Sequence, residues 1–398
     1  MKSILVIAPQ SFPVTATEAI VNIKLLRALS ESEEFCIDLI SKRNKWHDYP
    51  TGTLESYGVV LNSLNVIEVD NKVNIKTIWQ SFLSLLLFGV AYKGCHWAVA
   101  ARNIVVKLYK SKHYDYILTK DSPSLLLGYY LKRRFGAKWV ATWNDPMPMV
   151  KYPYPYGRGL DNKDSLITKR IINIMRHADV QVTPSNRLKK YLNSYLNVGE
   201  KLVVVPHMVS YEENREIQYG HTLKMIHSGH LGYPRDPQNF LEGLALFRKR
   251  NTDARVQFDI LGKTSEHLQE IVEKNALHDC VHIIPPMEYE KSLSVVSQYD
   301  IAVIIEAEQL EEGIFMPTKV SDFMQCATPI FAVSPIKGTL SDLYQNDNIP
   351  YFADVKSPIN IAEELEIIYK AFESKALKHN VIPDDFKKES IIKQYLSF

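Results

Sequence analysis

"KMIHSGHLGYPRDPQNFLEGL", residues 224–244, runs from an apolar β-rich stretch into a glycine turn and then into a helical pattern. Its weight comes from what precedes it. The same alternation has already run once: "SILVIAP" (3–9), a helical pattern over 18–29, then "FCIDLIS" (35–41), "YDYILTKDSP" (114–123), "AKWVATWNDP" (137–146), "DVQVTPS" (179–185) and "KLVVVPH" (201–207). A polar stretch, "SYEENREIQYGHT" (210–222), then interrupts it. At residue 224 the series restarts and continues through "VQFDILG" (256–262), "CVHIIPP" (280–286), "IAVIIEAE" (301–308) and "PIFAVSP" (329–335). Continuous β-branched runs flanked by helices read as strands buried on both faces, hence parallel sheets. The chain therefore reads as α/β, with two Rossmann-like doubly wound domains in tandem over 1–210 and 211–380. Residues 381–398 form a terminal helix that either domain can take, the N-terminal one included.

Composition agrees and narrows the function classes. The chain has 398 residues, too many for one core, and its 46% hydrophobic and 23% charged content is that of a soluble globular protein. A net charge of +2 selects no particular partner. The basic runs Lys132–Arg134, Lys189–Lys190 and Arg248–Arg250 read as solvated helix faces rather than a nucleic-acid patch. Cys36, Cys95, Cys280 and Cys326 are scattered, which argues against zinc and disulfides and for a reducing compartment. "MKSILVIAPQ" does not read as a signal peptide. The longest uncharged run, 77–92, is shorter than the ~20 residues that span a bilayer and reads as a buried or interfacial helix.

A dinucleotide fold needs G-x-G-x-x-G at its first strand–helix turn. Here that turn is "APQSFPVTATEA" (8–19), without a glycine. "GVAYKGC" (89–95) has the glycine spacing of a P-loop and lacks the final lysine. Both classes are disfavoured.

In open α/β sheets ligands bind at the carboxyl ends of the strands. Gly229 and Gly262 end two strands, and the acidic segment 306–312 follows a third. Arg235 lies six residues beyond Gly229, where a guanidinium suits a diphosphate. In "EEGIFMPTKVSDFMQCATP" (311–329), Pro317 is placed for the first position of a helix. Val320, Phe323, Met324 and Ala327 make its apolar face, and Lys319 and Asp322 share another. Lys319 near a helix start suits a phosphate, and Asp322 can accept from a ribose diol. Glu311 and Glu312 precede a glycine turn whose N–H groups are candidates to face a ligand.

On these residues the second half resembles the donor domain of GT-B glycosyltransferases of family 4. Gly229-His230-Leu231 with Arg235 resembles the family's Gly-Arg/Lys-Leu turn and second basic residue. Asp322 to Pro329 resembles its Glu-Ala-Met-Ala-Cys-Gly-Thr-Pro helix, and Pro317-Thr318-Lys319-Val320-Ser321-Asp322 its Pro-x-Lys-x-x-Glu variant. The resemblance implies a nucleoside diphosphate-sugar donor, with Arg235 and Lys319 on the diphosphate, Asp322 on the ribose, and Glu312 or Glu311 on the sugar. It implies further donor contacts at Gly229, His230, Gly262, Gly313, Ile314, Phe315 and Met316. His230 departs from the expected basic residue, and Glu312 lies ten rather than eight before Asp322. It also implies transfer with retention and no bound metal or cofactor. No D-x-D follows a strand to contradict that.

In this fold the N-terminal domain takes the acceptor. Asp145, in "TWNDP", is the candidate acceptor-side carboxylate. Thr15, Ala16 and Thr17 stand at the first strand–helix turn. Tyr152 and Tyr154 belong to a stiff aromatic loop, "KYPYPYGRG" (151–159). The expectation is a cytoplasmic transferase at the inner face of the membrane, acting on a saccharide that is lipid-linked, in bacterial surface polysaccharide synthesis. The rivals are a sugar-nucleotide epimerase or hydrolase on the same scaffold, and a degenerate nucleotide-binding scaffold protein.

Overall fold

The computed structural model describes residues 1–12, 17–44, 54–70, 72–120, 122–161, 163–265 and 267–398. It separates into two compact units. One comprises Met1–Tyr152, Gly157–Met208 and Lys388–Phe398; the other comprises Pro153–Tyr156 and Val209–Lys387.

The first unit contains β1 (Lys2–Ile7), α1 (Thr17–Glu31), β2 (Phe35–Asn44), β3 (Ser63–Val69), α2 (Ile75–Phe88), α3 (Cys95–Ser111), β4 (Tyr116–Lys120), α4 (Ser124–Phe135), β5 (Trp139–Thr142), α5 (Leu166–Met175), β6 (Val180–Thr183), α6 (Asn186–Leu196) and β7 (Leu202–Val204). Its seven strands pair in parallel in the order β3-β2-β1-β4-β5-β6-β7. Ile4, Leu5, Val6 and Ile7 are all buried, so helices cover both faces, as the continuous apolar run requires. The second unit contains β8 (Leu223–Ser228), α7 (Gln238–Arg250), β9 (Val256–Leu261), α8 (His267–Lys274), β10 (Val281–Ile284), α9 (Tyr289–Val296), β11 (Ile301–Ile305), α10 (Lys319–Gln325), β12 (Ile330–Ser334), α11 (Thr339–Gln345), β13 (Tyr351–Asp354) and α12 (Pro358–Glu373). Its six-stranded sheet runs β10-β9-β8-β11-β12-β13. Met225, Phe258, Val303 and Phe331 pack with Phe240, Leu244 and Leu365 on one face. Their neighbours Ile226, Ile304 and Ala332 pack with Leu293, Val320 and Phe323 on the other. This is the period-two consequence of the pleat.

The last helix, α13 (Lys388–Ser397), belongs to the first unit. Ile391 and Tyr395 join its core, and the Tyr116 hydroxyl donates to the Tyr395 carbonyl at 3.0 Å.

Both strand orders reverse direction of growth once, between β1 and β4 and between β8 and β11. Those two points are where open sheets of this kind hold ligands. Three details differ from the sequence reading. The edge strands β3 and β13 were not among the expected strands; β3 is half-exposed along its length and lacks a continuous apolar run. The helix expected to open at Pro317 opens at Lys319 instead. Pro317 accepts through its carbonyl from the Val320 N–H at 3.0 Å, so it closes a turn ahead of the helix. The uncharged run 77–92, read as buried or interfacial, is α2 and its exit and departs from the first alternative: Phe88 is buried, but Ile78, Trp79, Phe82, Leu85 and Leu86, with Ile75 ahead of them, are exposed. Asn74 caps α2 by accepting from the Thr77 N–H, and Gly89 ends it in the left-handed conformation.

Candidate functional site

At the carboxyl end of β8 the sequence places His227, Ser228 and Gly229. His227 is fully buried. Its Nδ1 lies 3.0 Å from the Val303 carbonyl. A carbonyl only accepts, so Nδ1 carries the proton and Nε2 is left as an acceptor. Lys319 fills that role, donating from Nζ to Nε2 at 3.0 Å. Burial, and then the charge of Lys319, hold the imidazole well below its ordinary range, consistent with a neutral ring.

Two glycines make this approach possible. Gly229 has φ +117°, and a Cβ there would lie 2.8 Å from Lys319 Cε and 2.9 Å from Nζ. Gly262, at the end of β9, has φ +147°, and a Cβ there would lie 2.4 Å from the Gly229 carbonyl oxygen. Neither position tolerates a side chain.

Arg235 stands beside this group. Its Nε donates to the Tyr156 hydroxyl at 3.2 Å, and the guanidinium sits 5.9 Å from the Tyr156 ring centre. Tyr156 in turn meets Phe315 edge to face at 5.2 Å between ring centres. Burial, and then the neighbouring Arg235 charge, push the Lys319 ammonium down to about 7. The Arg235 charge thus bears on the Lys319 ammonium at this end of the sheet. Glu306, just beyond β11, is buried and accepts from the Ser334 hydroxyl. Burial raises its carboxyl, while Arg235 draws it down.

The remaining expected donor residues divide. Asp322 Oδ1 accepts from the Tyr289 hydroxyl at 2.5 Å. His230 is exposed, with Nδ1 3.1 Å from the Lys263 carbonyl. Glu311 is exposed, and Glu312 pairs with Lys337 at 2.9 Å. The backbone expected to face a ligand is engaged within the turn: Gly313 N–H donates to the Lys337 carbonyl and Ile314 N–H to that of Glu312. Of the apolar residues there, Phe315 meets Tyr156, whereas Ile314 and Met316 are buried. His227, Glu306 and Tyr156 were not singled out from the sequence. His227 reads as an ordinary strand residue; its position two before Gly229 was the available signal.

In the first unit, a cavity of about 1000 Å³ opens at the carboxyl ends of the strands. Asp145 and Tyr152 line it, together with Glu18, Lys42, His96, Trp97 and Thr142. Asp145 is exposed, and Asn144 beside it donates to Glu18 at 2.5 Å. Thr17 begins α1 but does not line the cavity, and neither does Tyr154, which is exposed in the second unit. Thr15 and Ala16 lie outside the described residues.

Residues 85–213 match the family model described as Glycosyltransferase Family 4. No curated protein matches the chain in sequence. Among solved structures, the chain is similar to sucrose-phosphate synthase from Thermosynechococcus elongatus, with a TM-score of 0.65 at 14% identity, covering 100% of this chain and 98% of that one. It is similar to Anabaena HepE in complex with UDP and glucose, with a TM-score of 0.63 at 13% identity, covering 100% and 99%. It is also similar to the lipopolysaccharide outer core galactosyltransferase WaaB, with a TM-score of 0.62 at 11% identity, covering 99% and 98%. At such identities the likeness establishes the fold. The chain thus shares the two-domain GT-B fold of these glycosyltransferases, and its residues 85–213 are similar to Glycosyltransferase Family 4.

Proposed function

We propose that this protein transfers a sugar from a nucleoside diphosphate-sugar to a saccharide acceptor, with the second unit holding the donor and the first the acceptor. The observation that carries the reading is the convergence of Arg235 and Lys319 at the β8/β11 reversal, ordered by His227 and Gly229. As the glycosidic C–O bond breaks, negative charge grows on the leaving diphosphate. Arg235 and Lys319 oppose that charge in a site where Lys319 is already desolvated, so no metal is needed for this role. Asp322 takes the ribose and Glu306, Glu311 or Glu312 the sugar. Asp145 orients the acceptor hydroxyl. Retention of anomeric configuration is proposed by analogy with the family. Support for a UDP-type donor comes from the UDP found with the HepE structure. Thermal-shift titration with UDP, GDP, ADP, TDP and CMP tests the donor assignment. A shift with one diphosphate, lost on Arg235→Ala, is expected; no shift with any of them would remove the donor site.

We propose further that the acceptor is lipid-linked and met at the inner face of the cytoplasmic membrane, as in surface polysaccharide synthesis. Support comes from α2. Its six exposed apolar side chains recur at helical spacing, and its only charged residue is Lys76. Such a face fits a lipid interface carrying anionic headgroups. No described helix is long and apolar enough to cross a membrane. The protein should co-sediment with vesicles containing anionic lipid, and Trp79→Glu with Phe82→Glu should weaken that about tenfold or more. Equal recovery of wild type and variant with vesicles would remove α2 from the membrane.

A further inference from the structure

The first unit's cavity carries a feature that holding a neutral sugar does not require. Helices α3 and α4 begin side by side at its wall: a Cβ on Gly94, the residue before α3, would lie 3.7 Å from Pro123, the residue before α4. Both helices exceed two turns, so each presents the positive end of its dipole there. A second observation is independent of the helices. The Trp97 indole Nε1, the Thr142 hydroxyl and His96 Nε2 are all buried without a hydrogen-bond partner among the described residues. Trp97 and Thr142 are themselves 0% and 5% exposed. All three residues line the cavity. Buried polar atoms in native proteins are nearly always satisfied, so three unpartnered ones on residues lining a single cavity call for an explanation, and a ligand supplies one.

Lys42, from the end of β2, lines the same cavity and makes no ion pair among the described residues. Burial holds its ammonium below the ordinary lysine range, and its charge contributes to lowering His96. The indole N–H and the ammonium donate only, and the threonine hydroxyl is free to donate. An acceptor-rich anion satisfies all three at once and offsets the lysine charge, whereas one sugar hydroxyl accepts at most two bonds and carries no charge. Glu18 and Asp145 also line the cavity, and carboxylates there suit sugar hydroxyls rather than an anion.

We infer that this cavity binds a phosphate group borne by the acceptor, held by Lys42, Trp97, Thr142 and His96 between the starts of α3 and α4. The inference rests on the first unit being the acceptor side. The phosphate can belong to a soluble sugar phosphate or to an isoprenoid lipid phosphate. Calorimetric titration of the full chain with glucose 1-phosphate and, in mild detergent, with farnesyl phosphate distinguishes these sources. Glucose and farnesol are the uncharged controls.

At least one phosphate probe should bind, its control should not, and Lys42→Met should weaken binding about tenfold or more. Thr142→Val, close to isosteric, should weaken it about fivefold. Lys319→Met should leave it unchanged while weakening UDP binding, and Lys42→Met should leave UDP binding intact. Equal binding of the uncharged control, binding indifferent to Lys42→Met, or binding lost in Lys319→Met instead would each overturn the inference. So would failure of both phosphates to bind. A protein that binds the phosphate probe at Lys42 but no nucleotide would retain the cavity and lose the transferase reading.

Discussion

A Lys319→Met variant is expected to fold normally and to lose about 10²-fold to 10³-fold in kcat/KM for donor turnover, the cost typical of removing one group that meets transition-state charge. Methionine keeps the length that fills the space above Gly229, so the loss is one of charge. The ammonium is held against its preference in the free protein: burial and Arg235 bring it down to about 7 from an ordinary lysine value of 10.5. A folded-state pKa below the unfolded one contributes stability that is fully present above pH 10.5. That contribution is lost as pH falls toward 7. The variant should therefore gain stability relative to wild type across that window as pH falls. A bound diphosphate reverses the preference, because its charge favours the protonated amine. Nucleotide binding at pH 8 should then be accompanied by proton uptake in wild type and not in the variant, measured by calorimetry in buffers of different ionisation enthalpy. Turnover in the variant equal to wild type would take Lys319 out of the donor site.

Gly262→Ala is expected to destabilise the second unit by about 3 kcal/mol or more and to abolish nucleotide binding. Two causes act together. Its φ of +147° is one that residues with side chains rarely adopt, and the new Cβ would collide with backbone, the Gly229 carbonyl oxygen at 2.4 Å. Backbone cannot swing aside as a side chain can, so relief must come from moving the β8 end that carries His227 and faces Lys319. Chemical denaturation with nucleotide titration checks both effects. A variant with wild-type stability would mean that the two strand ends are less closely joined than the structure shows.

The buried strands were legible because burial on both faces writes a continuous apolar run, as in Ile4–Ile7 and Ile301–Ile305. The edge strands β3 and β13 carry no such run. Lys319 and Arg235 were legible as residues at strand and helix ends, and the structure brings their charges to bear on one another. Their partners were not. Tyr156 reaches Arg235 across 79 residues of sequence, and His227 matters for the face on which its Nε2 emerges, which spacing does not record. The turn after Glu312 was misread for a related reason: a glycine in a loop suggests free N–H groups, yet Gly313 spends its own on Lys337. The motifs read from the sequence fall at 224–335, while the family match covers 85–213. The two likenesses thus come from separate parts of the chain. The unpartnered Trp97 and Thr142 in the first unit left no mark in residue spacing at all.

The central claim is transfer to an acceptor, and the direct measurement is release of nucleoside diphosphate from a panel of labelled nucleotide-hexoses, with and without a bacterial membrane lipid extract. The structure predicts release from one donor that depends on the extract, label appearing in the lipid fraction, and loss of both with Lys319→Met. Turnover at the same rate without the extract would contradict transfer and point to an epimerase or hydrolase. Nucleotide binding with no turnover of any donor would leave a scaffold protein that keeps the fold and has lost the chemistry.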